Sequence, residues 1–266
     1  MKLEENYLSL IESCIDLASL MDKKIRPILL HKYEKERLGY QLYLYNLLIA
    51  YIKILKSIHL LLKEGNSTNS LILLRSLFEL HVQQLYIRTN PKQLSIDFLW
   101  FAIVEKKRLS DMTVKTALDD DEVYLKKKLE VKESFDEIVD SYTDKNGKVF
   151  KKWHGKTLRI LCEEVDKKWP EDYKLTSFYK SIYDRFSMEA HGGPLSLSLL
   201  LREEENVILP KLEPEFDYSR VVIEMSCNWA YYPMKFLNNE FHLDLKKDLR
   251  DFEKRIIKLI TSRIIT

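Results

Sequence analysis

Residues 42–62 read LYLYNLLIAYIKILKSIHLLL. The run is long enough to cross a hydrocarbon core, which takes about 20 predominantly apolar residues. It also carries Asn46, Lys53, Lys56 and His59. A charge in the middle of a span costs about 2.5–3.5 kcal/mol on insertion scales. The reading that follows is a buried core helix with no membrane. A helix apolar on most sides must be covered by others, so this stretch points to an all-α fold.

The run reads as helical from residue 33 to residue 63 and stops at Glu64-Gly65, where Gly65 is placed as a C-cap. The linker NSTNS (66–70) is rich in N-cap residues. The next helix is expected from about Asn69 to Arg88, with Pro91 blocking its continuation. Upstream, Leu8, Ile11, Ile15, Leu17 and Leu20 form an apolar stripe across residues 4–21. Downstream, helices are expected over 93–112, 118–142, 156–168, 175–190, 218–240 and 244–263, with a turn at 143–149. Residues 192–216 are irregular, and VILPKLEPEF with SLSLLLRE suggests a short β segment near 195–215. The expectation is an all-α, single-domain bundle of about eight helices over 1–266, its C-terminal helices (218–263) packed on the rest.

Composition agrees. Apolar residues are 45% and charged residues 32% of the 266, and only 6 Gly and 7 Pro interrupt them. The 43 basic and 41 acidic residues leave a net charge of +2, so any nucleic-acid binding needs a local patch. The three cysteines, Cys14, Cys162 and Cys227, are far apart within helical patterns. With an acidic N-terminus, MKLEENYLSLIESC, that is unlike a signal peptide, they indicate a reduced cytoplasmic protein.

Three stretches could carry chemistry. In LILLRSLFELHV (71–82), Arg75 and Glu79 stand four apart in an apolar helix. Buried charges must pair. The two are therefore either an internal brace or a pocket-lining arginine oriented by a glutamate. In YDRFSMEAHGGP (183–194) and just before it, Tyr179, Tyr183, Ser187 and His191 recur every four residues along one helix face. His191, ahead of Gly192-Gly193, is either a helix-terminal cap or a general acid/base supported by Ser187 or Tyr183. In KKWHGKTLRI (151–160), Trp153 and Lys156 could stack a base and meet a phosphate, or the tryptophan simply anchors a loop.

Phosphate-loop, dinucleotide-loop, HExxH, GxSxG and calcium-loop patterns do not occur. The six histidines show no ligand spacing with cysteines or carboxylates. No metal and no cofactor is expected.

LLRSLFE (73–79), WHGKTLRILCEEV (153–165) and YKSIYDRFSMEAHG (179–192), in this order, resemble a broad, largely uncharacterised family of bacterial all-α proteins. Its signature is Arg-x-x-x-Glu, a Trp-containing segment, then Tyr-x-x-x-Tyr-x-x-x-Ser-x-x-x-His. The resemblance spans about residues 35–195. That family looks related to the HEPN superfamily of helical domains, many of which are metal-independent ribonucleases in defence and toxin–antitoxin systems. The resemblance implies a HEPN-like core and a catalytic pair Arg185-x5-His191, with Phe186 where the nuclease motif usually has a polar residue. It also implies a homodimer that completes the cleft. Catalysis would involve Arg185, His191, Ser187, Arg75 and Glu79, with Tyr183, Tyr179, Trp153 and Lys156 on the substrate. The alternative is a non-catalytic HEPN-like module that binds a nucleotide or a partner protein. Arg75, Ser76 and His81 repeat the arginine–polar–histidine spacing, which reads as coincidence in a helix expected to be buried.

Overall fold

The structure is a computed structural model that describes residues 5–31, 38–112, 138–139, 141–143, 145, 153–170, 174–183, 201–204, 207–210 and 218–261. These residues contain eight α-helices and one short hairpin. The helices are α1 (Glu5–His31), α2 (Leu38–Lys63), α3 (Ser67–Thr89), α4 (Pro91–Met112), α5 (Leu158–Lys168), α6 (Leu175–Phe178), α7 (Ser219–Glu240) and α8 (Lys246–Thr261). A π turn, Tyr179–Tyr183, continues α6. Strands β1 (Leu201–Glu204) and β2 (Val207–Pro210) pair antiparallel, Leu201 opposite Pro210, inside the span expected to hold a β segment. The all-α expectation holds. The helix expected over 118–142 lies largely outside the described residues.

By its internal contacts the chain divides into two compact units, Met1–Thr89 with Leu158–Thr266, and Asn90–Thr157. In the larger unit, α2 packs against α1, α3 and α7, and α8 covers α1 and α7. The stretch that raised the membrane question is therefore a core helix. Its buried residues are Tyr43, Leu44, Leu47, Leu48, Tyr51, Ile52, Leu55, Ile58 and Leu62, one stripe at helical period, while Leu60 is 63% exposed. By length and composition α2 remains apolar enough to cross a membrane.

Helix α2 ends in a Schellman motif. Gly65 has φ 71°, its N–H donates to Leu62 O at 3.2 Å, and the Asn66 N–H donates to Leu61 O at 2.8 Å. The cap falls on the expected glycine. The linker, however, is shorter than expected. Asn66 O accepts from Ser70 N at 3.2 Å, so Asn66 acts as the N-cap and the remaining polar residues are absorbed into the first turn of α3. Pro91 does not merely stop α3. It opens α4, where its missing N–H costs nothing, and Asn90 O accepts from Leu94 N at 3.0 Å.

The stripe on α1 is rotated from the expected one. Tyr7, Leu10, Ile11, Cys14, Leu17, Ala18, Met21 and Ile25 are buried, whereas Leu20 is 39% exposed. Cysteine and alanine occupy core positions on the face that α1 turns to its neighbours, whereas an aliphatic count alone favours the adjacent face.

The smaller unit has its own small core of Phe101, Val104 and Val139, joined by Ile138, Tyr142 and Trp153. The Tyr142 hydroxyl donates to Asp97 O at 3.0 Å.

Candidate functional site

Helix α3 buries Leu71, Leu74, Leu77, Phe78, His81, Val82 and Leu85. That leaves Arg75 and Glu79 on its remaining face, with side chains 22% and 37% exposed. The helix is thus not sealed, although its sequence is apolar around most of its circumference. Arg75 Nε donates to Glu79 Oε1 at 3.1 Å and also to the Tyr183 hydroxyl at 3.0 Å. The Tyr183 hydroxyl in turn donates to Glu79 Oε1 at 2.5 Å. The three side chains close a ring of hydrogen bonds, and the guanidinium lies 5.1 Å from the Tyr183 ring centroid.

Protonation fits this ring. Burial raises the Tyr183 phenol well above its ordinary range, and the hydrogen bond to Glu79 pushes it the same way. Tyr183 therefore remains a donor throughout the ordinary pH range. Partial burial works against the Arg75 charge, but the Tyr183 hydrogen bond and the Glu79 carboxylate more than offset it, and its pKa rises.

An aromatic floor supports the ring. Phe78 lies 4.7 Å from Phe178, 5.6 Å from Tyr183 and 5.2 Å from Trp229 between centroids. Tyr179 stacks on Tyr183 at 4.9 Å with the planes 20° apart. The entry of the Tyr183 segment is held from α5: Asp166 accepts from Leu175 N at 2.9 Å and from Thr176 N at 2.8 Å, a cap supplied by tertiary contact. The π turn then places both tyrosines. Such turns insert one residue into the helical repeat and recur at functional positions.

Residues 41–208 match the model of a family of unknown function, DUF5677. The chain belongs to that family. No curated protein and no solved structure matches it. The DUF5677 segment contains every candidate site residue named from the sequence, and it runs from within α2 to within β2. Trp229, in the floor of the ring, lies beyond it on α7.

Of the sequence candidates, four are brought together: Arg75, Glu79, Tyr183 and Tyr179. Trp153 and Lys156 belong to the smaller unit. Trp153 packs edge-on at 5.6 Å from Phe98 and 5.0 Å from His154. The Lys156 N–H donates to His154 Nδ1 at 3.0 Å. These contacts hold Trp153 against neighbouring aromatic rings and leave its expected part in substrate binding as a proposal. Arg185, Ser187 and His191 lie outside the described residues. His81 is 1% exposed, and burial pulls its pKa down to about 3, so the arginine–histidine spacing on α3 yields no acid/base group. Among the described residues, no three His, Cys, Asp or Glu side chains converge as a metal site requires.

Asp166 and Trp229 were not found by sequence reasoning. Asp166 caps a helix across the Trp169-Pro170 turn, and no local pattern marks such a cap. Trp229 sits in an ordinary amphipathic repeat, and nothing in its spacing sets it apart from core.

Proposed function

We propose that the chain is a HEPN-like, metal-independent ribonuclease in which Arg185 and His191 carry the cleavage. The observation that supports this reading is the Tyr183 hydroxyl, bonded to both Arg75 and Glu79, only two residues before Arg185 in the sequence. The polar pair of α3 is thereby tied to the chain that carries the arginine–histidine motif. His191 would take the proton of a ribose 2′-hydroxyl, whose oxygen then attacks the adjacent phosphorus. The bond to the 5′-oxygen breaks, leaving a 2′,3′-cyclic phosphate and a 5′-hydroxyl. Arg185 or Arg75 would stabilise charge on the phosphate oxygens. A defence or toxin-type effector role and a homodimeric cleft rest on the HEPN resemblance, and a cytoplasmic site of action on the three scattered cysteines and the acidic N-terminal stretch.

A second reading has its own support. Glu79 already sits 3.1 Å from Arg75 and offsets its charge. A neutralised arginine suits a module that binds a nucleotide or a partner protein without cleaving it.

The test is RNA cleavage in EDTA by the wild type, His191→Ala and Tyr183→Phe, with the fold of each checked by circular dichroism. Cleavage by the wild type is expected to survive chelation and to leave cyclic-phosphate ends. Loss of the acid/base group in His191→Ala should lower the rate by about 10²-fold or more. A well-folded wild type that cleaves no RNA would overturn the ribonuclease reading in favour of the binding module.

A further inference from the structure

Arg255, on α8, is held across to α1. Its Nη1 donates to Ser13 Oγ. Its Nη2 donates to Ser9 Oγ at 3.0 Å and to Ser9 O at 3.3 Å. Ser13 Oγ also donates to Ser9 O at 2.7 Å, which fixes the two serines relative to each other. All these partners are neutral, so the guanidinium is oriented without being neutralised. Among the described residues, no carboxylate lies within ion-pair distance of Arg255 or of Lys258, one turn further along α8. At most three of the five guanidinium N–H groups are committed, and the rest remain donors.

Two clefts meet at Arg255. One, of about 310 Å³, is lined by Ser13, Leu17, Leu20 and Phe252 with three acids, Asp16, Asp248 and Asp251. The other, of about 330 Å³, is lined by Asn6, Ser9, Arg255, Lys258 and Leu259. Among the described lining residues they share only Arg255, and the acids are all in the first. The second therefore combines an oriented arginine, a lysine, two neutral hydrogen-bonding side chains and one aliphatic wall. An arginine fork with a nearby ammonium matches the shape and charge of a phosphate.

We propose that the cleft between α1 and α8 lined by Asn6, Ser9, Arg255 and Lys258 binds the phosphate group of a small phosphorylated ligand. Its volume suits one compact ligand, and Leu259 offers an apolar surface for the part that carries the phosphate. A long polyanion is a poorer fit, because a backbone continuing past Arg255 would meet Asp16, Asp248 and Asp251. The net charge of +2 over 266 residues gives it no wider attraction. The site is independent of the Arg75 ring and of whether the chain cleaves RNA.

The experiment is isothermal titration of the full chain with inorganic phosphate, with ribose 5-phosphate and with a short RNA oligonucleotide, ionic strength held constant with chloride. Saturable binding is expected for both small phosphates, tighter for the sugar phosphate if Leu259 is covered. Arg255→Met should weaken it by about tenfold or more, the loss of a charge-assisted contact. Because that change also removes the link to α1, Lys258→Met is the companion variant. Among the described residues the Lys258 side chain bridges nothing, so the fold of this variant should be unchanged while affinity falls severalfold. The proposal is overturned if neither phosphate binds, if Lys258→Met and Arg255→Met bind as the wild type does, or if only an oligonucleotide binds and salt abolishes it.

Discussion

Arg75–His81 and Arg185–His191 have the same spacing in sequence, yet the first histidine is chemically silenced. His81 is 1% exposed. It stacks at 6.1 Å on Trp229 and lies 5.6 Å from Tyr232. Burial lowers its pKa from 6.5 to about 3. The sign for stability follows from proton uptake. Above pH 6.5 the ring is neutral in both folded and unfolded chains, and its contribution to stability is intact. As pH falls from 6.5 toward 3, the unfolded chain binds a proton that the folded one refuses, so stability is lost. The slope from this one residue is at most about 1.4 kcal/mol per pH unit. His81→Phe should therefore lose ground to the wild type at neutral pH and recover it as pH falls from 6 to 4, measured by urea midpoints. A stability difference that stays flat across that range would contradict the buried, neutral histidine. The arginine–histidine spacing alone therefore does not make a histidine an acid/base group; at His81 burial removes it from that role.

At the scale of elements, α2 shows how packing selects from an ambiguous sequence. Leu55 is fully buried and Leu60 is 63% exposed, although they stand five residues apart in the same apolar run. Leu55→Ala should cost about 2–5 kcal/mol in a urea unfolding titration, through lost transfer energy and the cavity left behind. Leu60→Ala should stay within about 0.5 kcal/mol. Were the two equally costly, α2 would be covered on both faces, as in a membrane or a tight assembly. The end of α2 was legible because Gly65 offers the left-handed conformation that its Schellman cap requires. The start of α3 was less so, since Asn66, Ser67, Thr68, Asn69 and Ser70 are all competent caps, and only the bond from Ser70 N to Asn66 O shows which one serves. The π turn at Tyr179–Tyr183 has no residue signature: YKSIY carries neither glycine nor proline. Its ties are tertiary: the Tyr183 hydroxyl donates to Glu79 on α3, and ahead of the turn the backbone N–H groups of Leu175 and Thr176 donate to Asp166.

Over the whole molecule, the three cysteines are free and fully buried. Burial raises Cys227 on α7 well above the ordinary thiol range, and Cys14 on α1 pushes it the same way. Burial likewise pushes Cys162 up to about 12. Thiols of this kind are unreactive as nucleophiles. In the native chain none of the three should titrate with an aromatic disulfide reagent on a timescale of minutes, and all three should do so in denaturant. A rapidly modified thiol in the native chain would show that the α1–α7 or α3–α5 packing opens. The helical class, most helix spans, the Gly65 cap, the hairpin region and the pairing of Arg75 with Glu79 were legible in the order of residues, because each depends on neighbours within one or two turns. Tertiary structure alone decided which face of α1 is buried, that Tyr183 closes the Arg75–Glu79 ring, that Asp166 caps the segment leading to it, and that His81 is shut away from water. Those outcomes depend on contacts between residues far apart in the chain, where burial and charge are set by the packing of whole helices and not by local spacing.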